Sequence, residues 1–180
     1  MSHSLFERLQ KQWRQPCGFR EILVMAIPLV ISTGAHSLQL FADSMFLSWY
    51  SPDAMAASMP AGLWSFTFIS FFMGAASYVG TFIAQYHGAR RPERIGPSLW
   101  QAIYFSIASG VVLWVFILPA RPLFQWIGHQ PAIQEMEVVY FRILCAGGLF
   151  PILSNALGAF FVGRGKTRVV MWATVCVALV

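Results

Sequence analysis

Four polar side chains lie at helical spacing inside an apolar stretch that runs from Ile22 to Trp49. On a helical wheel they fall within a sector of about 60°; they are Ser32, His36, Gln39 and Asp43. An ionised carboxylate inside a bilayer is costly unless it has water, a partner or a proton. Asp43 is therefore predicted to bind a proton or a cation, and the other three to line a pathway or contact a substrate.

Each of these residues also has a purely structural interpretation. Asp43 could reach the outer interface or bond to a neighbouring helix, and His36 could form an interhelical hydrogen bond. A second group of small residues recurs along the next apolar stretch: Gly74, Ser77, Thr81, Ala84 and Gly88. Small residues at that spacing let helices approach closely, so this stripe is predicted to be a packing face.

The sequence carries no signature of an enzyme. It lacks a nucleophile elbow, a phosphate-binding glycine loop and a His-Glu-x-x-His run. Its three cysteines, Cys17, Cys145 and Cys176, have neither the pairing nor the spacing of a disulfide framework or metal site. We expect no catalytic residue, no metal and no cofactor, apart from H⁺ or Na⁺ as a coupling ion.

The amino-acid composition indicates a membrane environment. Apolar residues make up 57% of the 180 residues and charged residues only 11%, far from the balance of a soluble domain. The net charge of +5 comes from short clusters between apolar stretches rather than a continuous basic stripe, so nucleic acid is not an expected partner. The expected partner is the lipid bilayer.

The apolar stretches predict an all-α, polytopic membrane protein with four full transmembrane helices. The predicted spans are Ile22–Trp49, Ala54–Tyr86, Ile95–Leu118 and Val138–Val162, with a more polar loop or surface helix at Gln125–Glu137. The last apolar stretch, Val169–Val180, is too short to cross a bilayer, which needs about 20 residues. It is predicted to be an incomplete fifth helix of a longer protein.

Basic residues predict the orientation, because cytoplasmic loops carry the excess of Lys and Arg. Ten of the 12 lie before the first span, after the second or after the fourth. The N-terminus is thus predicted to be cytoplasmic in a protein of the inner membrane. Residues 1–20 are predicted to form a basic amphipathic segment on the lipid surface, with a solvated tail as the alternative. Residues 21–180 form the transmembrane domain.

Several stretches, in their order along the chain, resemble the multidrug and toxin extrusion (MATE) family. They are "FREILVMAIPLVIS", "LFADSMFLSWYSPDAMAAS", "AQYHGARR" and "NALGAFFVGRGKTRVVM". The resemblance implies a twelve-helix antiporter of two six-helix lobes that exports small organic, often cationic, compounds against H⁺ or Na⁺. This chain would supply helices one to five of the N-terminal lobe, the fifth incomplete. Asp43 matches the acidic residue of the family's first helix, which is implicated in coupling.

The same resemblance implies that the chain's main partner is a C-terminal lobe outside these residues, so the chain alone is predicted to be an incomplete transporter. Two alternatives remain open. A lipid-linked oligosaccharide flippase of the same superfamily would also have long spans with an intramembrane charge, but with more Arg and Lys for pyrophosphate than Arg142 alone. A membrane interaction subunit without transport activity is the second alternative.

Overall fold

The computed structural model describes residues 19 to 178, and those residues are helical with short connections. Most of the predicted amphipathic segment 1–20 lies outside this range. The α-helices are α1 (Phe19–Tyr50), α2 (Pro52–Ser77), α3 (Val79–Gly88), α4 (Ile95–Phe116), α5 (Ala120–Ile127), α6 (Pro131–Gly147), α7 (Leu149–Gly163) and α8 (Thr167–Ala178), with a 3₁₀ turn at Pro92–Arg94. The all-α prediction is confirmed.

Within residues 19–178, four stretches are long and apolar enough to cross a membrane: Ile22–Tyr50, Pro52–Gly88, Pro92–Phe116 and Pro131–Gly163. The four predicted spans are therefore confirmed, the first three with nearly the predicted bounds. The second and fourth each consist of two helices that meet at a short break, at Tyr78 and at Gly148. The stretch Thr167–Ala178 is a shorter apolar helix.

The fourth span begins about two turns before the predicted Val138. Gly128 ends α5 in the left-handed conformation, with a φ of 82° that glycine adopts without a steric cost. Pro131 then starts α6, because its fixed φ suits the first helical turn and its missing N–H leaves no donor unpaired. The polar residues before Val138 thus belong largely to helices, and Glu137 lies inside the span.

The chain divides into two compact units, residues 41–164 and residues 1–40 with 165–180. In the larger unit, α6 packs against α2, and α7 packs against α2, α3 and α4. Phe141 of α6 lies 6.3 Å from Phe68 of α2 and 5.6 Å from Phe124 of α5, measured between ring centroids. A second apolar cluster, which includes Ile83, Leu113 and Ile152, fills the space around α7. In the smaller unit, α1 stays helical through Pro28.

The face by which α3 packs differs from the prediction. Thr81, Ala84 and Gly88 are exposed, and Cβ atoms at Gly74 and Gly88 would have nothing within 4 Å. The buried residues of α3 are Val79 and Ile83. The adjacent Gly80 is close to α7, because a Cβ on Gly163 would lie 2.6 Å from the carbonyl oxygen of Gly80. Spacing alone identified small residues but not the helix face that meets a neighbour.

We expect Gly163→Ala to destabilise the larger unit, because the new Cβ would press on backbone that must move. Overpacking of this kind costs about 1–3 kcal/mol. Gly158→Ala on the same helix is the matched control, since its Cβ would have nothing within 4 Å. Denaturant titration of the purified protein in detergent should show a lower midpoint for the Gly163 variant only. Equal midpoints would show that α3 and α7 are not in close contact.

Candidate functional site

The polar residues predicted on α1 lie in different environments. Ser32 is 8% exposed, and its hydroxyl donates a hydrogen bond to the carbonyl oxygen of Pro28 at 2.9 Å. Such a bond to the preceding turn satisfies the hydroxyl within its own helix. His36 and Gln39 are exposed in the smaller unit. Their roles as pathway or substrate contacts stay predictions.

Asp43 lies in the part of α1 that belongs to the larger unit, and it is exposed. It falls within the candidate span Ile22–Tyr50. A carboxylate at such a position must meet water, a partner group or a proton, because hydrocarbon alone cannot solvate it. Asp43 is thus a candidate for binding an ion or a proton, and the coupling role stays a prediction.

Glu137 is a buried carboxyl group within a candidate span, although the sequence predicted a loop or surface helix at Gln125–Glu137. It lies in the fourth span and is 0% exposed. Together with Phe141 and Cys145 it forms the buried face of α6, at four-residue steps. The signal that could have revealed Glu137 is Pro131, which marks a helix start one to two turns earlier.

Glu137 is paired with His129, which lies in the connection between α5 and α6. The imidazole Nδ1 and the carboxylate Oε1 are 2.7 Å apart, and the His129 side chain is 41% exposed. Two lone pairs would repel at this distance, so one proton lies between the two atoms. The other oxygen, Oε2, is buried without a hydrogen-bond partner in the described residues. The pair anchors the connection to the buried face of α6.

The clefts of the larger unit include the following two. One, of about 320 Å³, lies where α2 and α3 meet α4 and is lined by the aromatic rings of Tyr78, Phe82, Tyr86 and Phe105 with the amide of Gln101. The other, of about 290 Å³, lies between α5 and α6 and contains Arg121 and Arg142. Within residues 19–178, no group of three or more His, Cys, Asp or Glu side chains could hold a metal ion.

These features define a multi-pass α-helical membrane protein with ionisable side chains inside its first and fourth spans. The chain belongs to the MatE family, the multidrug and toxin extrusion transporters, whose family model matches residues 28–180. The resemblance seen in the sequence is thereby confirmed.

Relatives at the sequence level carry multidrug resistance names. The chain is 26% identical over 164 residues to the probable multidrug resistance protein NorM of Synechocystis sp.. It is 31% identical over 174 residues to the probable multidrug resistance protein NorM of Pseudomonas syringae pv. tomato. These matches cover 89% and 92% of this chain but 35% and 36% of the relatives. The chain thus spans about a third of their length.

Two solved transporter structures have a fold similar to that of this chain. An outward-facing multidrug resistance MATE family transporter of the MOP superfamily superposes with a TM-score of 0.81 at 25% identity, over 88% of this chain and 35% of that one. A MOP superfamily transporter from Pyrococcus furiosus, described by the reverse polarity of its binding pocket, has a TM-score of 0.78 at 25% identity over the same shares. The helices described above therefore have the arrangement of part of a MATE transporter.

Proposed function

We propose that the protein takes part in secondary active multidrug efflux, exporting organic and often cationic compounds in exchange for inward-moving H⁺ or Na⁺. The observation that carries this proposal is the family match over residues 28–180, which includes almost all of the described helices. The multidrug resistance names of the relatives support the substrate class. Because those relatives are about three times as long, the proposal assigns transport to this chain together with a C-terminal lobe.

In this proposal Asp43 binds the coupling ion or proton. Binding neutralises a charge that low-dielectric surroundings disfavour, and α1 then repacks and changes the cavity of the lobe. Ser32, His36 and Gln39 are proposed to contact the ion or the substrate. Pro28 supports a repacking of α1, since a proline removes one backbone donor and weakens the helix there.

The aromatic cleft beside α4 supports the proposed substrate chemistry. Its volume of about 320 Å³ is at the lower end of the range for small-molecule sites. Aromatic ring faces attract organic cations, and an amide such as that of Gln101 can orient a polar group. The cleft is thus a candidate contact surface for part of a flat cationic substrate.

Transport is tested in cells that lack their own efflux pumps. Cells that express the protein from its full native gene should accumulate less of a fluorescent organic cation than cells with the empty vector. Collapse of the ion gradient with an ionophore should abolish the difference, because the gradient supplies the free energy. Accumulation equal to the empty-vector control at confirmed membrane expression would contradict the proposal.

We also propose that the N-terminus faces the cytoplasm and that the connection between α1 and α2 faces outward. Single cysteines can replace Tyr50 and His87 in a variant without native cysteines, since both side chains are exposed. An impermeant thiol reagent added to intact cells should label the first position and spare the second. Labelling of His87→Cys alone, or of both equally, would reverse or refute this topology.

A further inference from the structure

The cleft between α5 and α6 brings together two arginines from different parts of the sequence. Arg121 lies in the first turn of α5, and Arg142 lies within α6. Both side chains line a cleft of about 290 Å³, together with the amides of Gln125 and Gln134 and the carboxylate of Glu135. The cleft thus has two positive charges and one negative charge, and a net charge of +1.

These two arginines are the exceptions to the charge pattern that predicts the topology. Ten of the 12 basic residues lie in segments predicted to be cytoplasmic, while Arg121 and Arg142 lie on the predicted outer side. Positive charge is depleted there because it hinders the correct orientation. Two exceptions that converge on one cleft indicate a shared role that topology does not explain.

One N–H group of Arg142 has no hydrogen-bond partner among the described residues. This residue lies within the candidate span Pro131–Gly163, and the unpaired group is its buried Nε. The ion pair that forms among the described residues joins His129 to Glu137. Glu135 is therefore not within salt-bridge distance of Arg142. A buried N–H group without an acceptor is unfavourable. An anion in the cleft would supply what Arg142 lacks.

The geometry points to a binding site for the headgroup of a singly anionic phospholipid, with its phosphate diester between Arg121 and Arg142. Guanidinium groups bind phosphate oxygens through paired hydrogen bonds, which an ammonium group cannot match. The net charge of +1 complements one negative charge. The amides of Gln125 and Gln134 can donate to the remaining oxygens of the headgroup.

The surroundings of the cleft favour a lipid over a free anion. Val138 and Val139 form its apolar wall, and Val139 is 56% exposed where an acyl chain can contact it. Trp126 on α5 is 84% exposed, as expected for an indole ring at the membrane interface. Basic pockets on the cytoplasmic side of membrane proteins bind anionic headgroups, and the same pairing of charges applies to this cleft on the predicted outer side. The site is therefore continuous with the bilayer surface.

The test measures lipid binding to the purified protein directly, by native mass spectrometry with phosphatidylglycerol and phosphatidylcholine. It reads binding rather than transport, so its outcome is independent of the proposed efflux. Phosphatidylglycerol should bind more tightly than phosphatidylcholine. The double variant Arg121→Gln/Arg142→Gln should lose about tenfold in phosphatidylglycerol affinity or more, as expected when charge-assisted bonds are removed. Arg90→Gln/Arg91→Gln, with the same change of net charge, should bind as the parent does.

Two further measurements separate the geometry of the guanidinium group from its charge, and a lipid from a free anion. Arg142→Lys keeps the positive charge but removes the planar fork, so it should show an intermediate affinity while it preserves the fold. Inorganic phosphate at the same concentrations should not displace the lipid. Equal binding of the two lipids, full phosphatidylglycerol binding by the Arg121 and Arg142 double variant, or displacement by inorganic phosphate would each overturn the proposal.

Discussion

Replacement of Asp43 by asparagine is expected to abolish gradient-driven efflux while the protein still inserts into the membrane. Asparagine has nearly the same size and polarity, but its amide carries no charge and cannot bind and release a proton. The coupling step would then lack the group whose charge changes. We expect a loss of at least about tenfold in the rate of dye efflux, the size of effect when an interaction needed for turnover is removed.

Asp53→Asn is the matched control, since it is the same substitution ten residues further along the chain. Asp53 lies in the first turn of α2, where a carboxylate interacts with the helix dipole. Its loss should change stability by less than about 1 kcal/mol and leave transport intact. Efflux is measured in membrane vesicles under an imposed gradient, at matched protein levels. If Asp43→Asn keeps gradient-dependent efflux, Asp43 is a structural residue.

His129→Ala is expected to destabilise the larger unit. Glu137 is 0% exposed, and the imidazole of His129 is its hydrogen-bond partner at 2.7 Å. Without that partner, a carboxyl group stays buried with neither oxygen paired. A buried group left without its hydrogen-bond partner costs about 1–3 kcal/mol, and the partial exposure of His129 places the expected loss toward the lower end of that range. A denaturant titration in detergent should show the lower midpoint.

A double variant separates the loss of the pair from the loss of the histidine. His129→Ala/Glu137→Leu removes both polar groups, so it should recover most of the stability, because no buried charge is left. His87→Ala replaces an exposed histidine at the end of α3 and should leave the midpoint almost unchanged. A double variant no more stable than His129→Ala would show that the pair is not the cause.

The spans could be predicted from the sequence because their signal is local. A stretch of about 20 apolar residues must form a helix in a bilayer, where every backbone group needs an internal partner. The position of Glu137 depends on more than hydropathy. A window of apolar residues excludes a glutamate, whereas the pyrrolidine ring of Pro131 and the left-handed Gly128 determine where α6 begins. The backbone chemistry there outweighs the polarity of the side chains.

The same distinction applies to the candidate site, whose helical periodicity could be predicted and whose packing contacts could not. Periodicity placed Asp43 and the other polar residues on one side of α1, because that follows from the helical repeat alone. It could not tell which face of α3 meets α7, since that depends on how closely Gly80 and Gly163 approach. The cleft of Arg121 and Arg142 likewise arises from the packing of α5 on α6. Residues that long-range packing brings together leave no periodic trace in the sequence.

The central claim, ion-coupled export by a MATE family protein, is tested most directly in proteoliposomes. The protein expressed from its full native gene is reconstituted, and uptake or release of a fluorescent organic cation is followed after a gradient of H⁺ or of Na⁺ is imposed. The account predicts transport that follows one of these gradients in direction and stops when that gradient is collapsed. Transport that is insensitive to both gradients, or no transport by correctly folded protein, would contradict it.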